Sequence, residues 1–378
     1  VAPPSRVALP DFPWDSLEPA KAAARAHPDG IVDLSVGTPV DPTPEVVRRA
    51  LADASDAHGY PQTYGTPALR EAVAGWFERR RGVPGLDPAG VLPTVGSKEL
   101  VAWLPLLLGL GPGDQVGIPA VAYPTYDVGT RIARAEPVVV DLAGDLPQAG
   151  AIRLLWVNSP SNPTGAVHDV DTLARVVRWA RDNGVVVASD ECYAELVWDD
   201  GALVDGLPRP GHVPSILDPR VNEGSTEGLL ACYSLSKQSN LAGYRAALVA
   251  GDPRIVKQLL EIRKHAGMIV PWPVQEAMRV ALGDDAHVAE QRARYAERRA
   301  ALLPALQGAG LRVDHSEAGL YLWSTRDEDC WTTVDALAQH GILVAPGAFY
   351  GAAGERHVRV ALTASDERIQ AAVRRLSR

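Results

Sequence analysis

The chain has 378 residues, 46% of them apolar, and a formal charge of −9; that is enough apolar residue for one large domain and a smaller one. With no lysine-arginine run to form a basic stripe, the composition excludes a binder of nucleic-acid backbones and a polybasic membrane anchor. Three scattered cysteines (Cys192, Cys232, Cys330) without a C-x-x-C pair exclude a disulfide framework and a zinc ribbon, and suit a reducing compartment.

In chain order, the first stretch, "VAPPSRVALPDFPW", is broken by prolines and has no apolar core of the kind a signal peptide needs. No later segment offers the roughly 18 uninterrupted apolar residues of a membrane span, so a soluble, cytoplasmic protein is expected. Between about residues 66 and 265, short apolar runs alternate with amphipathic segments. The runs "GVLPTV", "DQVGIP", "EPVVVD", "IRLLWVN", "GVVVASD", "LLACYS" and "AALVAG" read as strands, and "DVDTLARVVRWARDNG" reads as a helix. Most of the runs are apolar on both faces. This predicts an α/β fold whose mostly parallel seven-stranded sheet is covered by helices on both sides.

After residue 265 the texture changes. A long charged helix, "DDAHVAEQRARYAERRAALLPALQGAG", precedes two alternating segments, "LRVDHSEAGLYLWS" and "RHVRVALT", and a last helix, "DERIQAAVRRL". The expected division is an arm over 1–40 that also completes the small domain, a large domain over 41–265, and a small α+β domain over 266–378.

In parallel sheets ligands sit beyond the carboxyl ends of the strands. There the sequence places Gly96-Ser97-Lys98, Asn158, Asp190 and Ser234. Ser97 and Lys98 open a helix, so their N–H groups face the site where a phosphate would bind, although any strand-to-helix turn begins this way. "NSPSNPTG" holds Asn162 before a proline, where the restricted bond can aim its amide inward. Asp190 in "SDECYAEL", with Tyr193 three residues on, is either a helix cap or a functional carboxylate. "SLSKQSNLAGYR" spends one of only five lysines, Lys237, between Ser236 and Gln238, with Ser234 before it and Arg245 behind. An amine that traps a carbonyl must be lysine, and hydroxyls with a guanidinium suit a phosphate dianion. Together these groups describe a site for pyridoxal 5′-phosphate, and no metal is expected.

Over nearly its full length the sequence resembles the fold-type I, class I/II aminotransferases. The motifs "DLSVGTPVDPTPEVVRRAL", "GYPQTYGTPALREAV", "VGSKEL", "AYPTYDVG", "NSPSNPTG", "SDECYAEL", "SLSKQSNLAGYR" and "VRVALT" follow that family's order. The resemblance implies the roles. Lys237 would bond the cofactor aldehyde, Asp190 the ring nitrogen, and Asn162 and Tyr193 the ring hydroxyl, while Tyr123 would stack on the ring. Ser97, Lys98 by its backbone, Ser234, Ser236 and Arg245 would surround the phosphate, with Tyr60 reaching it from the partner of a homodimer. Arg359, helped by Gly37 and Asn162, would clamp the substrate α-carboxylate.

The wording of "LPDFPWDSLEPAKAAARAHPDGIVDLSVGTP", "GSKELVAWLPLLLGLG" and "RKHAGMIVPWPVQEAM" is similar to the succinyldiaminopimelate aminotransferase branch. That implies N-succinyl-LL-2,6-diaminopimelate and 2-oxoglutarate as substrates, in lysine and diaminopimelate biosynthesis. Lys98, Arg263 and Lys264 are candidates for reading a distal carboxylate, although Lys264 reads at least as well as a surface lysine at a helix C-terminus; many relatives carry a small residue at the position of Lys98, whose side chain either protrudes into the site or turns away. Within the fold, an aspartate, aromatic or kynurenine aminotransferase is the nearest rival, and a C–S lyase is further off. A ligand-sensing module of a transcription regulator would need a DNA-binding domain, whereas only about 30 residues precede "IVDLSVGTP". A nicotinamide dehydrogenase would need a G-x-G-x-x-G after its first strand, which the sequence lacks.

Overall fold

A computed structural model of the chain describes residues 9–148 and 150–377. All seven expected strands form one sheet: β1 (Val91–Val95), β2 (Gln115–Ile118), β3 (Glu136–Val139), β4 (Ile152–Asn158), β5 (Val186–Asp190), β6 (Leu229–Ser234) and β7 (Ala246–Gly251). Their order is β1-β7-β6-β5-β4-β2-β3, and β7 alone runs antiparallel to its neighbours.

Period-2 alternation distributes each strand between two cores. Leu154 and Trp156 of β4 pack on one face with Leu230 and Cys232 of β6; Leu155 and Val157 pack on the other with Ala231 and Tyr233. Each fully buried Leu or Val side chain contributes about 1.5–3 kcal/mol of transfer free energy, and this double burial explains why the strands read as continuous apolar runs.

The covering helices begin and end where their caps dictate. The helix Val170–Asn183 starts at Asp169, whose carboxylate accepts from Thr172 N–H at 2.8 Å, and stops at Gly184 with φ +64°. Likewise Pro67–Arg81 starts at Thr66, whose hydroxyl accepts from Leu69 N–H at 3.1 Å, and ends at left-handed Gly82. Both helices use a polar N-cap and a glycine beyond the last turn.

The helix Trp272–Gly283 lies beyond the expected limit of the large domain at 265, yet Val274, Ala277, Met278, Ala281 and Leu282 bury themselves in that domain's core. The long helix Ala286–Gly308 then leads into a four-stranded antiparallel sheet of β8 (Arg312–Asp314), β9 (Tyr321–Thr325), β10 (Ala345–Pro346) and β11 (Val358–Ala361), in the order β8-β9-β11-β10. Leu17, Ala20, Ala24, Val32 and Leu34 from the N-terminal segment share its core, and Val32–Asp33 pairs in parallel with Ile342–Leu343. Arg298 of the long helix holds Asp41 with both terminal nitrogens (2.8 and 2.6 Å) and Asp366 with Nε (2.6 Å), which fastens three distant parts of the chain. Among the described residues, no helix is long and apolar enough to cross a membrane.

A buried ion pair supports the site from below. Arg81 Nη2 donates to Glu191 Oε2 at 3.0 Å, with side chains only 2% and 1% exposed, and the other carboxylate oxygen takes Ser215 Oγ–H (3.0 Å) and Ile216 N–H (2.8 Å). Glu191 directly follows Asp190, so this pair fixes the turn leaving β5. Arg81→Ala would strand a buried carboxylate, and a stability loss of about 3–5 kcal/mol is expected in chemical denaturation of the apoprotein.

Candidate active site

Strand register assembles the polar groups at the carboxyl edge of the sheet. Asn158 is level with Asp190 across β4 and β5, Ser234 with Ala247 across β6 and β7, and Ala246 with Val95 across β7 and β1. The loops that leave these strands therefore meet over the middle of the sheet.

Asp190 is buried, and the hydrogen bonds it accepts come from uncharged donors: Tyr126 O–H at 2.9 Å and Cys192 N–H at 3.2 Å. Burial raises its pKa above the ordinary carboxylate value despite those donors, because desolvation penalises the charged form. Tyr123, edge-on to Tyr126 with centroids 5.8 Å apart, presents its ring on the same side, and burial pushes its phenol up to about 12. Asn158 organises the next loop: its Nδ2 donates to the carbonyls of Pro160 (3.1 Å) and Asp190 (3.0 Å), and its Oδ1 accepts Asn162 N–H at 2.8 Å.

Lys237 sits in the one-turn helix Leu235–Gln238 that follows β6, and its Nζ donates to the Gly37 carbonyl. Burial lowers its pKa from the usual lysine value, which favours a free amine. Ser234 caps that turn: its Oγ accepts Ser236 N–H at 3.2 Å and bonds Ser236 Oγ at 2.8 Å. Arg245 follows with φ +56°, an uncommon left-handed conformation for a non-glycine residue, and its guanidinium lies against Gly96. Gly96 has φ +82°, and a Cβ there would collide with Arg245, so only glycine suits this position. The start of the helix Ser97–Leu107 and the Arg245 guanidinium meet at Gly96, and with the Ser234 and Ser236 hydroxyls these donors could hold an anion.

Arg359, on a central strand of the small sheet, reaches into this region. Its Nη1 donates to Asn162 Oδ1 at 3.0 Å and its Nη2 to the Ser35 carbonyl at 2.8 Å, while its buried Nε has no partner among the described residues. The guanidinium lies 3.9 Å from the centroid of the Tyr321 ring and 5.0 Å from that of Tyr350. Both of its protein acceptors are neutral oxygens. A buried cation left in this state matches an incoming carboxylate.

The sequence reading missed two groups. Tyr126, in the motif "AYPTYDVG", holds Asp190; Tyr321, in "GLYLWS", stacks on Arg359 and pairs its hydroxyl with Tyr193 Oη at 3.3 Å. Their signal was weak, since each is one aromatic among many on an apolar element. Of the expected residues, Tyr60 stands fully exposed in the single chain. The Lys98 side chain is exposed, with Nζ 5.9 Å from the centre of the Phe12 ring. Arg263 is engaged elsewhere, buried in a pair with Glu99 at 2.8 and 3.2 Å, and Lys264 pairs with Glu261 at 2.7 Å on the helix surface. Arg263 is therefore not free to read a substrate carboxylate, and Lys264 is the helix-surface lysine that its sequence position also suggested.

Pyridoxal phosphate fits these groups: a buried carboxylate without a cationic partner, an amine held toward its neutral form, and an anion cradle one strand away. The family model "Aminotransferase class I and II" matches residues 29–376. The chain is 58% identical to the 4-dedimethylamino-4-oxo-anhydrotetracycline transaminase OxyQ of Streptomyces rimosus, over 98% of this chain and 99% of that one. It is 31% identical to an LL-diaminopimelate aminotransferase of Dehalococcoides mccartyi, over 98% and 96% respectively. Among solved structures it is similar to a probable N-succinyldiaminopimelate aminotransferase from Thermus thermophilus, with a TM-score of 0.84 and 29% identity over 97% of this chain and 99% of that one. Gly96→Ala, which displaces Arg245 from the cradle, is expected to raise the Kd for pyridoxal phosphate by about tenfold or more, ~1.4 kcal/mol, in fluorescence titration.

Proposed function

The chain belongs to the class I and II aminotransferases, which depend on pyridoxal phosphate, and on that premise we propose that it moves an amino group between N-succinyl-LL-2,6-diaminopimelate and 2-oxoglutarate. The observation that carries the transaminase part of this reading is the buried Arg359 guanidinium, bonded only to neutral oxygens and close enough to Lys237 to act on its charge. It supplies the anchor for an α-carboxylate common to both substrates. Lys98, an exposed cation on the second residue of the helix after Gly96, is the remaining candidate for the distal carboxylate. The similarity to diaminopimelate aminotransferases over nearly the whole chain supports the same class.

In this reading each residue has a defined task. Bound pyridoxal phosphate supplies an aldehyde that joins the substrate nitrogen and a protonated ring that accepts the electron pair left at Cα. Asp190 holds the proton on the ring nitrogen, and Asn162 and Tyr193 orient the ring hydroxyl. Arg359 places the α-carboxylate so that the Cα–H bond faces Lys237. Burial keeps the Lys237 amine available as the base that removes the Cα proton and later delivers it to the former aldehyde carbon, across the nitrogen from Cα, before water frees the oxo product. A second, oxo-acid substrate reverses the sequence, giving ping-pong kinetics. Tyr60 completes the phosphate cradle from the partner of a homodimer, which gives its fully exposed ring a use.

A second reading has its own support. The 58% identity to OxyQ favours a polycyclic ketone as amino acceptor. The aromatic cluster of Phe12, Trp14, Phe349 and Trp331, with successive centroids 5.6, 5.2 and 5.8 Å apart, offers flat apolar surface near the N-terminal segment.

The holoenzyme, titrated separately with N-succinyl-LL-diaminopimelate, LL-diaminopimelate, glutamate, aspartate, phenylalanine and kynurenine, decides between them. If the succinylated donor and glutamate convert bound cofactor to its amine form at far lower concentrations than the others, the first reading stands. Conversion by an amino acid of the panel but not by the succinylated donor, followed by consumption of the amine form by a ring ketone, supports the second. In the first case Lys98→Ala should raise KM for the succinylated donor about tenfold, ~1.4 kcal/mol of lost binding, with kcat little changed.

A further inference from the structure

Tyr321 is the side chain on which the two halves of the site converge. It opens β9 in the small sheet, yet it is 4% exposed and reaches groups contributed by three other segments. Its ring forms the platform under Arg359, 3.9 Å from centroid to guanidinium carbon, close enough for a strong cation–π contact in a buried setting. Its hydroxyl lies 3.3 Å from Tyr193 Oη. The same hydroxyl fills the space that a Cβ on residue 37 would need, so it rests against Gly37, whose carbonyl receives Lys237 Nζ. One phenol therefore touches the carboxylate anchor, the ring-hydroxyl contact and the peptide that holds the lysine.

We infer that Tyr321 is a positioning residue of transamination, its ring setting Arg359 for the α-carboxylate and its hydroxyl setting Tyr193 and the charge balance around Lys237. This rests on the reading of Lys237, Tyr193 and Arg359 given above. The electrostatics agree in direction. Burial favours the neutral phenol, but the permanently charged guanidinium on its ring, together with the Lys237 amine, draws Tyr321 below the ordinary tyrosine value. In return, electron density on the phenol oxygen favours positive charge at Lys237. Removing the hydroxyl takes this electron density away and breaks the Tyr193–Tyr321 contact, so a protonated nitrogen at Lys237 becomes less stable.

Two substitutions in the cofactor-loaded protein separate the hydroxyl from the ring. Tyr321→Phe keeps the platform and should move the pH midpoint of the visible cofactor absorbance downward by about half a unit or more. Its kcat should fall several-fold, with KM for the amino donor chosen by the substrate titration changed by less than about threefold. Tyr321→Leu removes the platform and should raise that KM by about tenfold or more. A Tyr321→Phe protein with the wild-type midpoint and kcat, or a Tyr321→Leu protein with the wild-type KM, overturns the inference. Lys237→Ala in the same spectra isolates the underlying assignment. If it retains the wild-type visible band, the site reading itself fails; if the band is lost while both Tyr321 variants behave as wild type, the site stands and the inference falls.

Discussion

A carboxylate buried at the end of a parallel strand without a cationic partner is costly, and Asp190 is such a group. Much of the surrounding structure serves to keep it in place. Tyr126 donates to it from the helix beneath, itself stacked on the buried Trp156 at 4.9 Å. The next residue, Glu191, locks the turn through Arg81. Asn158 ties the backbone carbonyl of Asp190 to the loop that carries Asn162. In the proposed function the charge that compensates it is that of a protonated ring nitrogen. Arg359 presents the mirror-image case, a buried cation with neutral acceptors, and its proposed partner is a substrate carboxylate. On that reading the site is built from groups whose electrostatic partners arrive with the ligands.

The two main sheets enter this balance differently. The large sheet supplies Asp190, Lys237 and the phosphate cradle from neighbouring strand ends, so their spacing is fixed by the ladder itself. Arg359 and Tyr321 come from the small sheet, and Gly37 and Ser35 from the N-terminal segment. The carboxylate anchor therefore depends on how these pieces dock, a function in which Arg298 participates by holding Asp41 and Asp366 together.

Much of this was legible in the sequence because the large sheet obeys strong local rules. Strands buried on both faces read as apolar runs, helix ends read as Asp or Thr before and Gly after, and the scarcity of lysine isolated Lys237. What escaped depended on tertiary packing. Nothing local marks the helix Trp272–Gly283 as part of the large core, since its apolar face would suit either domain. Arg263 reads as a candidate substrate contact because its partner Glu99 is brought to it only by the fold, whereas the Lys264–Glu261 pair is a local helical one. Tyr321 sits in an alternating strand where an inward aromatic normally means core; strand pairing puts it beside Arg359, and only the meeting of the two sheets brings it beside Lys237.

The central claim is that Lys237, among five lysines in the chain, is the residue that holds the cofactor. Borohydride treatment of the pyridoxal phosphate-loaded protein fixes any cofactor joined to an amine, and peptide mass mapping then locates it. The account predicts one stable label per chain, on the peptide that contains Lys237. A label on Lys21, Lys98, Lys257 or Lys264, or no label at all, would contradict it.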